Sequence, residues 1–287
     1  MIRLLLLGTV VIWGWTFVAT KICLGFMSPL ELLGLRFLLA MPVMLAVILR
    51  KGMDLRPGRH LGPLLIGSTI ITIHFLVQIT GLRYTSATNT GWLIAASPLA
   101  MALLSFAILG ERVTARTAAG IAAATTGVVL LVSRGDLDRL DWLSSFGDWM
   151  ILASAATWAL YTIAIRDLAR ERHPLAVTFS ILVPPTVLLT FLILGFHDWR
   201  RLLDLPAEAI VALLFLGIPG TALAQWFWQE GVAELGATKA GVFLYLEPLA
   251  TTALAVPYLG EPFGPFALIG GLLVLGGVWH AQRKAVH

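Results

Sequence analysis

One carboxylate, Glu247, interrupts a run of about twenty mostly apolar residues between Lys239 and Glu261. At ~1.5 Å per residue a helix over that run crosses a hydrocarbon core ~30 Å thick, with Glu247 near its middle. A charge at that depth costs at least ~2.5 kcal/mol on insertion scales, so it faces a polar cavity or a partner and marks a path for solutes or protons. Depth counted along the other apolar runs brings Trp13, His74, Ser97 and Trp158 to the same level. A carboxyl and an imidazole can exchange protons there, a hydroxyl can hydrogen-bond a solute, and indoles can pack on an aromatic or apolar body. Thr16, Gln78, Trp92, Tyr161, Gln225 and Phe243 are further candidates for the wall of a substrate-binding cavity.

Each residue also has a plainer reading. Arg36 lies a turn or two from midplane on its own run and can neutralise Glu247, as a packing pair or as a gating ion pair. His74 can bond a carbonyl, Ser97 its own helix, and the two tryptophans can be packing anchors rather than substrate clamps. Glu111 and Glu261 read as loop residues that hold helix ends, and Gln229, Glu230 and Glu234 as residues of one mouth.

The elements that must position these groups are helices in lipid. Hydrophobic residues make up 58% of the chain, charged residues 13%, and the mean hydropathy is +0.88, far from the balance of a soluble domain. The spacing predicts ten spans, at 4–22, 30–49, 61–82, 87–109, 115–132, 146–168, 175–196, 208–229, 239–261 and 265–281. The first mimics a secretory signal, but it is too long, carries Trp13 and Trp15, and lacks a small-residue cleavage site, so it reads as an uncleaved helix. Gly120 and Gly127 have the spacing of close helix packing. Cys23 is the sole cysteine, which excludes an intrachain disulfide, and no Cys/His spacing suggests a metal or cofactor. The net charge of +4 comes from loops between apolar runs rather than from a patch, so nucleic acid is not a partner.

The chain repeats itself. At an offset of 150, Gly91 matches Gly241, Pro98-Leu99-Ala100 matches Pro248-Leu249-Ala250, and Leu109-Gly110-Glu111 matches Leu259-Gly260-Glu261, which sets Ser97 against Glu247. Upstream the offset is 145, pairing Trp13 with Trp158 and Ser28-Pro29 with His173-Pro174. The charge-dense linker from Arg134 to Asp141 divides the copies, giving repeats at 1–135 and 136–287. With the N-terminus cytoplasmic, thirteen loop Lys and Arg residues lie inside against six outside, which places both termini inside the cell inner membrane. Five spans per copy is an odd number, so the second copy enters from the opposite face. The expected fold is all-α and integral to the membrane: ten transmembrane helices as two inverted five-helix repeats around a central cavity. Pro98 and Pro248 should kink their helices beside the polar residue.

Several short motifs then line up with a known family. WGWTFVATK at 13–21, Ser28-Pro29 and RFLLA at 36–40 resemble the opening of EamA-type members of the drug/metabolite transporter superfamily. GTALA at 220–224, YLEP at 245–248 and LGE at 259–261 resemble that family's second-half motifs. The resemblance covers essentially the whole chain and implies ten helices around a central cavity, with export or exchange of small metabolites. Amino acids and aromatic or drug-like solutes are among the substrate classes it implies. The expected function is a secondary transporter working by alternating access, with a small-molecule substrate and the bilayer as partners. If protons are the coupling ion, Glu247 carries them first and His74 second. A uniporter or pore without ion coupling is the alternative, and an intramembrane enzyme is disfavoured because no aspartate lies at depth to orient His74 beside Ser97.

Overall fold

The computed structural model describes residues 1–109, 115–133, 135, 145–235 and 240–282, and the regular elements among them are all helical. The first half contains α1 (Ile2–Leu24), α2 (Pro29–Lys51), α3 (Leu61–Tyr84), α4 (Ala87–Ile94), α5 (Ser97–Leu109) and α6 (Ala115–Ser133). The second contains α7 (Phe146–Ala164), the short α8 (Arg166–Glu171), α9 (Pro174–Phe196), α10 (Ala207–Gly217), α11 (Ala224–Leu235), α12 (Glu247–Leu259) and α13 (Pro265–Gln282). A π-helical turn, Ile218–Leu223, joins α10 to α11, and a 3-10 turn, Val242–Leu246, leads into α12. Among the described residues, five stretches are by themselves long and apolar enough to cross a membrane: α1, α2, Gly58–Tyr84, α9 and Ala207–Leu235. The linker from Arg134 to Asp141, apart from Gly135, lies outside the described residues, as do Glu111, Lys239 and the C-terminal Arg283 and Lys284.

Repeat-equivalent residues start equivalent helices. Ser28 caps α2, accepting from Glu31 N at 3.3 Å, while Glu31 Oε2 accepts from Ser28 N at 2.7 Å. His173 takes the same place at α9, its Nδ1 accepting from Leu175 N at 3.2 Å. A proline follows each cap, at a position where its missing N–H costs nothing.

The expected kinks at Pro98 and Pro248 take the form of interruptions in α-helical winding. Ala95 and Ala96 separate α4 from α5, and α12 starts afresh at Glu247 after the 3-10 turn. A proline in the first turn of a new helix has no intrahelical bond to lose, so interrupting the helix just ahead of the ring avoids the clash that a continuous helix would suffer. Ser97 and Glu247 are thereby placed at the first position of their segments, where helical backbone has been interrupted.

Packing obeys the duplication. α3 lies on α7 as α1 lies on α10–α11, and α1 meets α12 as α7 meets α4 and α5. The pairs α2 with α9, α4 with α12 and α6 with α13 each join an element to its own repeat equivalent. Exchanging the halves therefore maps the main contacts onto themselves. With five crossings per half, equivalent helices run in opposite directions, and the two copies are inverted. Gly127 seats α6 directly against the Gly270 carbonyl of α13, the close approach its spacing predicts.

Gly14 fixes the crossing nearest the polar centre. A Cβ there would sit 2.8 Å from Glu247 O and 2.9 Å from Thr251 N. Both obstacles are backbone and cannot step aside as a side-chain tip can. Gly14→Val should therefore destabilise the protein by about 1–3 kcal/mol through overpacking, read as a lower Tm in detergent. Gly8→Ala has open space around it and should leave stability unchanged or raise it by up to about 1 kcal/mol.

Candidate substrate cavity

The interrupted crossings meet α1 at a cavity of about 430 Å³, counting its open mouth. Its wall is Trp13, Thr16 and Phe17 from α1, Arg36 from α2, His74, Phe75 and Gln78 from α3, Ile94 and Ser97 from the broken crossing, Trp158 from α7, Gln225 from α11, and Leu244 and Glu247. The repeat runs through this wall: Trp13 and Trp158, Phe75 and Gln225, Ile94 and Leu244, Ser97 and Glu247 are equivalent pairs. Both halves contribute matched positions, so the cavity lies on their seam.

Aromatic rings form one side. Trp13 meets Trp158 edge-on at 5.3 Å between centroids and Trp228 at 5.2 Å. His74 sits 5.2 Å from Trp158, and its Nδ1 lies 2.9 Å from Ser154 O, so the histidine is both a cavity residue and a bonded packing residue. The π-helical turn supplies carbonyls beside the rings, because its wider winding breaks the regular backbone ladder. Gly220 O accepts from Trp13 Nε1 at 3.2 Å, and Thr221 Oγ1 donates to Leu216 O at 2.8 Å.

Arg36 is anchored to the same turn. Its Nε donates to Thr221 Oγ1 at 2.5 Å, its Nη2 to Gly220 O at 3.4 Å, and its Cζ lies 4.5 Å from the Phe75 centroid. The expected pairing with Glu247 does not form: among the described residues Arg36 and Glu247 are not within ion-pairing distance. The π-helical turn has taken the guanidinium instead. Glu247 is 5% exposed, and among the described residues no side chain hydrogen-bonds its carboxyl; its main-chain oxygen accepts from Thr251 Oγ1. Ser97 Oγ donates to Ile94 O at 2.7 Å, the local bond that an interrupted helix end invites.

Three of the candidate residues stand back from the wall. Trp92 is buried against Gly271 and stacks on Phe263 at 6.3 Å, on the far side of α4. Tyr161 lies behind Trp158 at 5.5 Å and accepts from Gln229 Nε2 at 3.4 Å, so Gln229 is buried rather than at a mouth. Phe243 packs partly buried against the core. Phe17, Phe75, Ile94, Leu244 and the supporting Trp228 were not singled out from the sequence, although Trp228 stands 150 residues after Gln78.

At the membrane face opposite the N-terminus, three carboxylates stitch one half to the other. Glu31, its side chain fully buried, receives one Arg201 nitrogen at 2.5 and 2.7 Å and has His197 Nδ1 at 3.1 Å. Asp148 accepts from Thr85 Oγ1, from Asn89 Nδ2 at 2.6 Å and from Ser145 Oγ at 2.7 Å. Glu261 caps α4, accepting from Ala87 N and Thr88 N at 2.8 Å each, which is the helix-end role its sequence position suggests. At the N-terminal face a bridge from the 3-10 turn ahead of α3 to the end of α8 joins Arg59 to Glu171 at 2.8 Å, with side chains 79% and 48% exposed. Water screens the solvated pair on both sides, whereas the Glu31 carboxylate, held by several donors and buried, loses more when its partners are removed. Ile193 of α9 is buried against Gly34 of α2, one turn before His197, so in a background with Cys23 replaced by Ser, Glu31→Gln should speed maleimide labelling of Ile193→Cys, and Arg59→Gln should change it little.

The family model described as "EamA-like transporter family" matches residues 1–133 and 145–281. A protein named "uncharacterized transporter" from Archaeoglobus fulgidus is 30% identical over 98% of this chain and 97% of its own length. The "probable amino-acid metabolite efflux pump" of Salmonella typhimurium is 30% identical over 96% of this chain and 92% of its own. The "probable terminal-alkyne amino-acid exporter" of Streptantibioticus cattleyicolor is 29% identical over 77% and 73%. A solved crystal structure aligns with a TM-score of 0.69 at 21% identity, over 98% of this chain and 96% of that one, a likeness of fold.

Proposed function

Because this chain belongs to the EamA-like transporter family, a family of transporters and not of enzymes, we propose that it exports small organic metabolites across the cell inner membrane by alternating access. The observation that carries this reading is the seam cavity, walled by repeat-equivalent residues of two inverted halves. Inversion means that a motion opening the cavity to one face has a symmetry-related counterpart opening it to the other. The indoles and Phe17 favour solutes with an aromatic or apolar body, and two relatives whose names specify amino-acid export support amino acids or drug-like solutes as the class. The distribution of Lys and Arg supports a cytoplasmic N-terminal face.

Glu247 is the group we assign to proton exchange, with Arg36 and His74 the other ionisable residues facing the same cavity. A carboxyl that releases its proton when substrate arrives couples the two fluxes in opposite directions. The test is counterflow of a labelled solute in proteoliposomes. A carrier gives saturable counterflow that unlabelled solute accelerates; linear, unsaturated flux would identify a pore and overturn the reading.

A further inference from the structure

The two ends of the cavity are built from repeat-equivalent positions that carry different side chains. One turn past Trp13 on α1 stands Thr16, and one turn past Trp158 on α7 stands its equivalent, Tyr161. Gln78 follows Phe75 on α3 as its equivalent, Trp228, follows Gln225 on α11. Because the halves are inverted, α1 and α3 run away from the N-terminal face while α7 and α11 run toward it. Thr16 and Gln78 therefore lie beyond the indole pair on one side, Tyr161 and Trp228 on the other.

The backbone at the two ends is matched. Gly231 of α11 packs on Leu6 of α1, and its equivalent Gly81 of α3 packs on Met150 and Ile151 of α7, Ile151 being the equivalent of Leu6. The side chains in front of these crossings are not matched. Toward the N-terminal face, Trp228 lies 5.2 Å from Trp13 and 6.1 Å from Trp158 between centroids, and Tyr161 lies 5.5 Å from Trp158 with its hydroxyl accepting from Gln229. Both rings are fully buried, and neither lines the cavity. On the other side Thr16 and Gln78 belong to the wall, and the Thr16 hydroxyl donates back to Trp13 O. The carboxylate bonds at that face join α2 to the turn after α9, α7 to α4, and the end of α12 to α4; none of these ties α1 to α3.

We propose that Tyr161 and Trp228 form an aromatic gate that closes the cavity toward the N-terminal face, and that Thr16 and Gln78 are its smaller, polar counterpart. The resting protein then opens more readily to the face opposite the N-terminus. Opening the aromatic side wets buried rings and separates Trp228 from both indoles. Opening the other side parts a hydroxyl and an amide, groups whose hydrogen bonds water replaces at little net cost. The inference rests on the transport reading and identifies gating residues rather than substrate contacts.

Ser97→Cys in a Cys23→Ser background places one thiol in the cavity wall, and a small membrane-impermeant methanethiosulfonate probes it in sealed vesicles that present either face. Without solute, labelling should be several-fold faster from the face opposite the N-terminus. Tyr161→Thr with Trp228→Gln should raise the rate from the N-terminal face by about tenfold, the scale of losing two ring pairs, and leave the other rate within about twofold. Adding Thr16→Tyr and Gln78→Trp exchanges the gates at constant composition and should reverse the order of the two rates. Tyr161→Phe keeps the ring and loses only the Gln229 bond, so it should keep the original order. If the double variant does not fold, Trp228→Leu alone should still raise the rate from the N-terminal face. Equal rates in the parent protein, no change in the double variant, or a rise from both faces alike, the mark of a loosened fold, overturns the gate. Labelling needs no substrate: absent counterflow with unequal rates would sink the carrier and leave the gate, whereas saturable counterflow with equal rates would do the reverse.

Discussion

Glu247→Gln is expected to end solute accumulation driven by a pH gradient, because an amide cannot release a proton. The side chain keeps its shape, so Tm should stay within a few degrees of wild type. Counterflow that remains at saturating solute should no longer vary with pH. The cavity holds one other group of suitable chemistry for proton exchange, His74, whose Nδ1 lies against Ser154 O. If His74 were the proton carrier instead, Glu247→Gln would retain gradient-driven accumulation and His74→Gln would lose it, and initial rates in proteoliposomes across pH decide between them.

Arg36→Leu is expected to separate folding from transport. It removes the bonds to Thr221 and Gly220 and the contact with Phe75, a loss of about 1–3 kcal/mol. It also removes a buried cation, whose desolvation costs several kcal/mol in real proteins. The two effects oppose each other, and Thr221 keeps its own bond to Leu216. Unfolding should therefore move by no more than about 2 kcal/mol in either direction, while counterflow of the labelled solute slows by about tenfold or more. A variant that unfolded outright would show that Arg36 is a structural pin of the π-helical turn and not a substrate contact.

Much of this architecture is legible in the sequence because duplication turns weak local signals into a register. The 150-residue offset aligned Pro98 with Pro248, and the interruption of both helices beside Ser97 and Glu247 follows from proline chemistry. Depth was legible too, since counting residues along a helix measures height. Direction around the helix was not. Trp92 has suitable height but points across α4 to Gly271. Phe243 stands four residues before Glu247, on its face in an α-helix; the 3-10 turn has three residues per turn, and Leu244 takes that face instead. The partner of Arg36 was equally hidden, because the π-helical turn that captures it adds no pattern of its own to GTALA at 220–224. Where an element departs from α-helical winding, spacing stops predicting which side chains meet.

Alternating access requires a seam cavity reached from each side of the membrane in turn. Cys23 is buried and the sole cysteine, so a Cys23→Ser background carrying Ser97→Cys offers one thiol at the cavity wall. In sealed vesicles of either orientation, a membrane-impermeant maleimide should label it from both faces, at rates that a saturating transported solute lowers. Labelling from neither face, or from one face only and unaffected by solute, would contradict the alternating cavity.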